Sequence, residues 1–369
     1  MKYFFVVGEA SGDLHTSRVM NALKRRDPSA HFAYMGGAKM RSEGGECVVA
    51  SETLAYMGFL DVAKHLSQIR YAGRQVQQAI IDFAPDVVVC TDYASFCFRY
   101  ILPFVRKHLP RTRIAYFIPP KVWAWKKGRV KRLAGDTDLV LCILPFEVDF
   151  LQKNGVRHCE YIGNPSYEEV QEFLTKHTPK NSPPYIALLP GSRASEVRQN
   201  LPLMRKVAGA FPDLDIKIAA TSHLSKETYG DLLNGTQLVW DEAYSVVQGA
   251  TAALVTSGTA TLETALLDTP QVVCYAHRMG VVSNYVFEHF FSVPFISLVN
   301  LIAGREVVPE LFGGNFKGSK ILDSLAPLTL DSKQRHEMLR GYADVRSAVA
   351  TPIPSSHVTA DALINLASK

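Results

Sequence analysis

Short, unbroken apolar runs alternate along this chain with stretches in which apolar residues return every three or four positions. The runs Tyr3 to Val7, His31 to Met35, Val87 to Cys90, Arg113 to Ile118 and Leu139 to Ile143 read as strands buried on both faces, the pattern of a parallel sheet covered by helices. Between them Leu14, Val19, Met20 and Leu23, and later Val76, Ala79, Ile80 and Phe83, recur at helical spacing. The alternation pauses at Thr178-Pro179-Lys180-Asn181-Ser182-Pro183-Pro184, where proline and polar residues disfavour helix and central strand alike. It resumes with Tyr185 to Leu189, Ile216 to Ala219, Ala252 to Val255 and Val272 to Tyr275. The expected fold class is therefore α/β, two Rossmann-like domains facing a cleft. Their expected bounds are 1–178 and 185–340, followed by a helical tail, 341–369, packing across the cleft. Asn200 is expected to cap the helix carrying Leu201, Met204 and Val207, with Pro202 in its first turn.

Length agrees with two domains, because single cores stop growing near about 250 residues and this chain has 369. Charged residues make up 20% and the hydrophobic set 47%, enough to build packed cores and far from a disordered composition. The net charge of +5 suits phosphate-bearing small molecules or an anionic membrane surface and falls short of a nucleic-acid footprint, so no nucleic-acid partner is expected. Six cysteines form no C-x-x-C pair; Cys90, Cys142 and Cys274 sit inside strand-like runs, which points to buried thiols, a reducing compartment and no structural metal. The first apolar run is too short for a signal peptide, and the longest apolar stretch, Val281 to Ala303, is broken by Asn284, Glu288, His289, Pro294 and Asn300. A cytoplasmic protein able to lie against a membrane is expected.

Candidate chemistry gathers in loops that follow strands, where open α/β sheets bind ligands. Gly8-Glu9-Ala10-Ser11-Gly12-Asp13 follows the first run; lacking the dinucleotide spacing and the P-loop lysine, it reads equally as a tight turn or a ligand contact. Pro190-Gly191-Ser192-Arg193 offers a glycine turn, a hydroxyl and a guanidinium suited to phosphate oxygens. Ser257-Gly258-Thr259-Ala260-Thr261-Leu262-Glu263 opens a helix, so its amides can hold a diphosphate. Glu263 one turn in could accept ribose hydroxyls, although alone it reads as an ordinary first-turn acid. Two such loops in one half favour a nucleoside diphosphate there and leave the other half to an acceptor. Asp92, just past the Val87 to Cys90 run, is placed to remove a proton from an acceptor hydroxyl, or to serve as a loop cap. From Val122 to Arg132, Trp123 and Trp125 stand among five basic residues, beginning with Lys126, a mixture suited to an anionic lipid interface or an acceptor phosphate. Met57-Gly58-Phe59-Leu60 offers further apolar surface or ordinary core. Asp213 and Asp215 read as turn acids rather than metal ligands, and no hydrolase spacing occurs.

The ordered set G-E-A-S-G-D at 8–13, P-P-K-V-W-A-W from Pro119, P-G-S-R at 190, S-G-T-A-T-L-E at 257 and N-L-I-A-G-R-E-V-V-P-E-L from Asn300 resembles the lipid-A-disaccharide synthases over nearly the whole chain. That resemblance implies the GT-B glycosyltransferase architecture. It implies inverting transfer from UDP-2,3-diacylglucosamine to 2,3-diacylglucosamine 1-phosphate through a β-1,6 linkage, with no metal and no cofactor. On the donor side it implies Ser192, Arg193, Ser257, Gly258, Thr259, Glu263, Asn300 and Arg305, with Arg193 and Arg305 meeting diphosphate charge. Asp92 matches the family's candidate base, and Ser11, Gly12, Met57, Trp123, Trp125 and Lys126 fall on the acceptor or membrane side. Peripheral association with the inner-membrane surface follows from two lipid substrates, and a homodimer stays open. Where the family usually reads D-x-P-x-F-N this chain has Asp92-Tyr93-Ala94-Ser95-Phe96-Cys97; Pro119 replaces a common serine and Thr16 a common glycine. A UDP-N-acetylglucosamine 2-epimerase, or a nucleotide-sugar-binding homologue without catalysis, would use the same donor loops.

Overall fold

The computed structural model describes residues 1–55, 66–124, 128–178, 182–230, 236–276 and 294–369, the side chains of residues 54, 55 and 66 apart. Among the described residues, the first sheet holds β1 (Lys2–Val7), β2 (His31–Gly36), β3 (Glu46–Ala50), β4 (Val87–Thr91), β5 (Arg113–Phe117), β6 (Leu139–Cys142) and β7 (Cys159–Tyr161). All are parallel, in the order β3-β2-β1-β4-β5-β6-β7. The second holds β8 (Tyr185–Leu189), β9 (Asp215–Ala220), β10 (Thr236–Trp240), β11 (Ala252–Thr256), β12 (Gln271–Tyr275) and β13 (Glu310–Phe312), again parallel, in the order β10-β9-β8-β11-β12-β13. Each expected strand is present within about one residue of its bounds.

β1 shows why these runs are unbroken. Phe4 and Val6 enter the core on one face of the sheet, with Val76 and Ile80 of the helix Leu66–Phe83. Tyr3, Phe5 and Val7 enter the core on the other, with Val19, Met20 and Leu23 of the helix Ala10–Arg26. Ala360, Leu363 and Leu366 of the helix Ser355–Ala367 complete that second face. Cys90, Cys142 and Cys274 are buried free thiols, as their strand-like surroundings require.

The chain divides differently from the sequence expectation. One unit comprises 1–165 with 351–369, the other 166–350. The helix Pro165–Lys176 packs with the second unit because Phe173 meets Tyr244 edge-on at 5.4 Å and the Tyr244 phenol reaches Glu169. The expected tail is also cut: residues 341–350 finish the helix Lys333–Val349 of the second unit, while 351–369 fold with the first. Asn200 and Pro202 lie inside the helix Ala194–Ala208 rather than at its start, which falls at Arg193, whose backbone N–H donates to Glu196 Oε2. No helix among the described residues is long and apolar enough to cross a membrane.

Candidate active site

Strand order reverses direction between β1 and β4 in the first unit and between β8 and β11 in the second, and it is at such points that parallel sheets leave a crevice beyond their carboxyl ends. Register puts Val7 opposite Thr91 and Leu189 opposite Val255. The loop opening at Gly8 thus lies beside Asp92, and Pro190 to Arg193 beside Ser257 to Thr259.

In the first unit, Asp92 and Tyr93 both adopt left-handed backbone, φ 47° and 39°, and Ile118 at the end of β5 does the same at 57°. Left-handed backbone costs a residue bearing a Cβ roughly 1–2 kcal/mol, and such outliers collect at functional sites. The turn lays the Tyr93 ring over Gly8, where a Cβ would stand 2.3 Å from a ring carbon, so only glycine fits. Burial, reinforced by Glu9, pushes the Asp92 carboxyl up to about 6 against the opposing pull of Lys121, the Tyr93 amide and His15. A carboxylate tuned there is ionised at neutral pH and still basic enough to take a hydroxyl proton.

The G-E-A-S-G-D segment divides its labour. Asp13 accepts backbone N–H bonds from Gly37 (2.7 Å), Lys39 (2.9 Å) and Met40 (3.1 Å), bracing the turn after β2. Gly12 is buried, with Val7 3.0 Å from where a Cβ would stand, and serves close helix–strand packing. Ser11 is exposed at the start of the helix. Thr16, expected to stand in place of a glycine, is accommodated: its hydroxyl pairs with that of Thr91 at 3.1 Å in the core.

Trp123 corrects the expectation of an interfacial side chain. It is buried, its indole N–H donates to Glu147 Oε1 at 3.0 Å, and its ring meets Phe146 edge-on. Glu147 also accepts from the backbone N–H groups of Ile143 and Leu144, and complete burial raises its carboxyl to about 7. Nothing in the local sequence distinguishes Glu147 from an ordinary first-turn acid; its role appears only once Trp123 is seen beside it. Met57, Trp125 and Lys126 lie outside the described residues.

In the second unit, Gly191 has φ 117°, and a Cβ there would lie 2.6 Å from Glu196 Oε2. That oxygen accepts from the backbone N–H groups of Ser192 (3.2 Å) and Arg193 (3.3 Å), fixing the loop while the Arg193 side chain stays 70% exposed. Across from it Gly258 caps the helix Thr259–Leu266, with no atom within 4 Å of a Cβ position, and Ser257 Oγ donates to the Ile296 carbonyl. Glu263 lies one turn in, its Oε1 3.4 Å from Ser166 Oγ. Beneath both loops, buried Asn200 donates to the Pro190 carbonyl and Thr256 Oγ1, each at 3.0 Å, and accepts from the Ala276 amide at 2.8 Å. One side chain therefore ties the ends of β8, β11 and β12.

Two expected donor contacts are not brought to these loops. Asn300 is fully buried. Its amide donates to the Val308 carbonyl and Glu310 Oε1 and accepts from the Val307 and Val308 amides, which uses all its capacity in bracing the approach to β13. Arg305 precedes β13, at the amino-terminal edge of the sheet, and pairs with Asp344 on the helix Lys333–Val349 at 2.6 Å. Among the described residues no group of three His, Cys, Asp or Glu side chains is arranged to hold a metal ion.

Solved structures share the two-sheet architecture. The glycotransferase of kitacinnamycin matches with TM-score 0.66 at 13% identity over 99% of this chain and 98% of that one. A UDP-GlcNAc 2-epimerase from Neisseria meningitidis, bound to UDP-GlcNAc, matches with TM-score 0.62 at 13% identity over 99% and 98%. At such identity these likenesses establish the GT-B fold alone. Sequence goes further: the lipid-A-disaccharide synthase of Myxococcus xanthus is 34% identical over 355 residues, 92% of this chain and 91% of that one. The family model described as lipid-A-disaccharide synthetase matches residues 3–356, so it takes in every loop described above, and the chain belongs to the lipid-A-disaccharide synthase family.

Proposed function

We propose that this glycosyltransferase joins UDP-2,3-diacylglucosamine to 2,3-diacylglucosamine 1-phosphate, forming the β-1,6-linked lipid A disaccharide and UDP without a metal or other cofactor. The observation that carries this reading is a largely buried, left-handed Asp92 at the carboxyl end of β4 with a pKa raised to about 6. In the proposed step the Asp92 carboxylate takes the proton of the acceptor's 6-hydroxyl. The hydroxyl oxygen bonds to the donor's anomeric carbon as the bond from that carbon to the diphosphate breaks on the opposite face. The second unit holds the donor: Ser192, Arg193, Ser257, Gly258 and Thr259 face the diphosphate with a guanidinium, hydroxyls and helix-terminal amides, and Glu263 takes the ribose. Arg305 and Asn300 act in the fold.

Association with an anionic inner-membrane surface rests on the helix Gly128–Asp136, where Lys131 and Arg132 are exposed. The epimerase reading has only a likeness of fold behind it, and its product would be an isomerised nucleotide sugar with no second sugar.

The test is to incubate the protein with the UDP-sugar, with and without the acceptor and with chelator present, following products by mass spectrometry. Acceptor-dependent disaccharide is expected; UDP release without disaccharide, or isomerised donor, would replace this reading. D92N should bind UDP normally and lose about 10²- to 10⁴-fold in turnover, the usual worth of a positioned base.

A further inference from the structure

Asp92 sits where the β4–β5 ladder ends. Its own N–H still donates to the Phe117 carbonyl at 3.3 Å, the last bond of that pairing. The next residue of β5 bonds to the strand on its other side, the Ile118 N–H donating to the Leu141 carbonyl of β6, so no further β5 amide is paired with β4. Left-handed φ at Asp92 aims its carbonyl out of the ladder and into the protein, where a buried acceptor without a donor is costly. The Tyr116 phenol fills that place, donating to the Asp92 carbonyl at 2.6 Å.

Tyr116 is itself fully buried on β5, its ring stacked on Phe98 with centroids 5.9 Å apart. Burial first, and then the neighbouring Cys97 and Cys90 thiols, push the phenol well above its ordinary range, so it keeps the proton that it donates to the Asp92 carbonyl.

We infer that Tyr116 is a positioning residue for the transfer reaction: its phenol holds the Asp92 backbone left-handed and so aims the carboxylate. This rests on the reading of Asp92 as the base. Without the phenol the buried carbonyl loses its donor, and Asp92 and Tyr93 relax towards negative φ, swinging the carboxylate from its place among Glu9, His15 and Lys121.

Y116F removes the hydroxyl and keeps the stacked ring. Expected are a fall in kcat of about 10- to 100-fold, the range that misplacing a reacting group by about 1 Å commands, with KM for the UDP-sugar and UDP affinity within about twofold of wild type. The acid limb of the kcat/KM profile should move to lower pH, because a carboxylate freed from its buried place is better hydrated. Placed on D92N, the same change should lower turnover no further, as residues acting through one group are not additive. Wild-type kcat and profile in Y116F would overturn the inference while leaving the base assignment standing. Near-normal turnover in D92N would instead remove the base assignment. Failure to fold, parallel loss of UDP binding, or additive losses in the double variant would also overturn the inference, making Tyr116 a residue of the fold.

Discussion

Left-handed backbone at Asp92, Tyr93 and Ile118 is retained at side chains where glycine would be cheaper, and it falls where β4 and β5 open towards the candidate site. One consequence is a pH dependence with a definite sign. The Asp92 carboxyl titrates near 6 in the folded protein and near 3.8 as a free side chain. Between those values the native state therefore holds a proton that the unfolded chain lacks. Its contribution to stability is full below about pH 4 and is lost as pH rises through about 6. D92N should accordingly raise the melting temperature at pH 8 and leave it unchanged at pH 4, whereas a group buried at no cost would show no such difference. In the wild-type enzyme kcat/KM should climb through about pH 6 and level off above it. The place of Asp92 was legible in the sequence because an acid directly after a buried run falls at the ligand end of a parallel sheet. Trp123 and Asn300 misled because their partners lie elsewhere in the chain, Glu147 for the one and Val307, Val308 and Glu310 for the other. No local pattern separates a tryptophan bound to a buried acid from one facing lipid.

At the scale of elements, the two sheets hold their loops by different means: the first uses Asp13 and strained turns, the second uses Asn200 as a knot beneath three strand ends. Asn200→Ala would leave the Ala276 amide and the Pro190 carbonyl buried without these partners, a loss of about 2–4 kcal/mol. It should also free both loops proposed to hold the diphosphate, so thermal melting and UDP titration should worsen together; a variant with lowered melting temperature and unchanged UDP affinity would separate the knot from the site. The central strands were readable because burial on both faces makes them continuous apolar runs. β3, β7, β10 and β13 were missed: all four are edge strands with half-exposed residues, and β7 and β13 have only three residues each. Too little of their side-chain surface is buried to leave a pattern.

For the molecule as a whole, the important departure from the sequence reading is that the first unit is discontinuous. The proline-rich stretch at 178–184 is not the boundary between units, because the contacts of Phe173 and Glu169 with Tyr244, which decide the matter, join residues far apart in the chain. Ending the chain at Ala350 would strip Ala360, Leu363 and Leu366 from the face that also buries Val19, Met20 and Leu23. Hydrogen exchange followed by mass spectrometry should then show β1 and the helix Ala10–Arg26 losing protection while β8, β11 and β12 keep theirs; equal protection in both units would mean that the last helix is dispensable. The same arrangement sets an order of events during synthesis. Residues 1–165 leave the ribosome early, yet the helix that completes one face of their sheet follows only after all of 166–350 has been made. The nascent first sheet must wait with part of one apolar face uncovered, a window in which chaperone capture or misassembly competes with folding, and the half of the enzyme begun first is the half finished last.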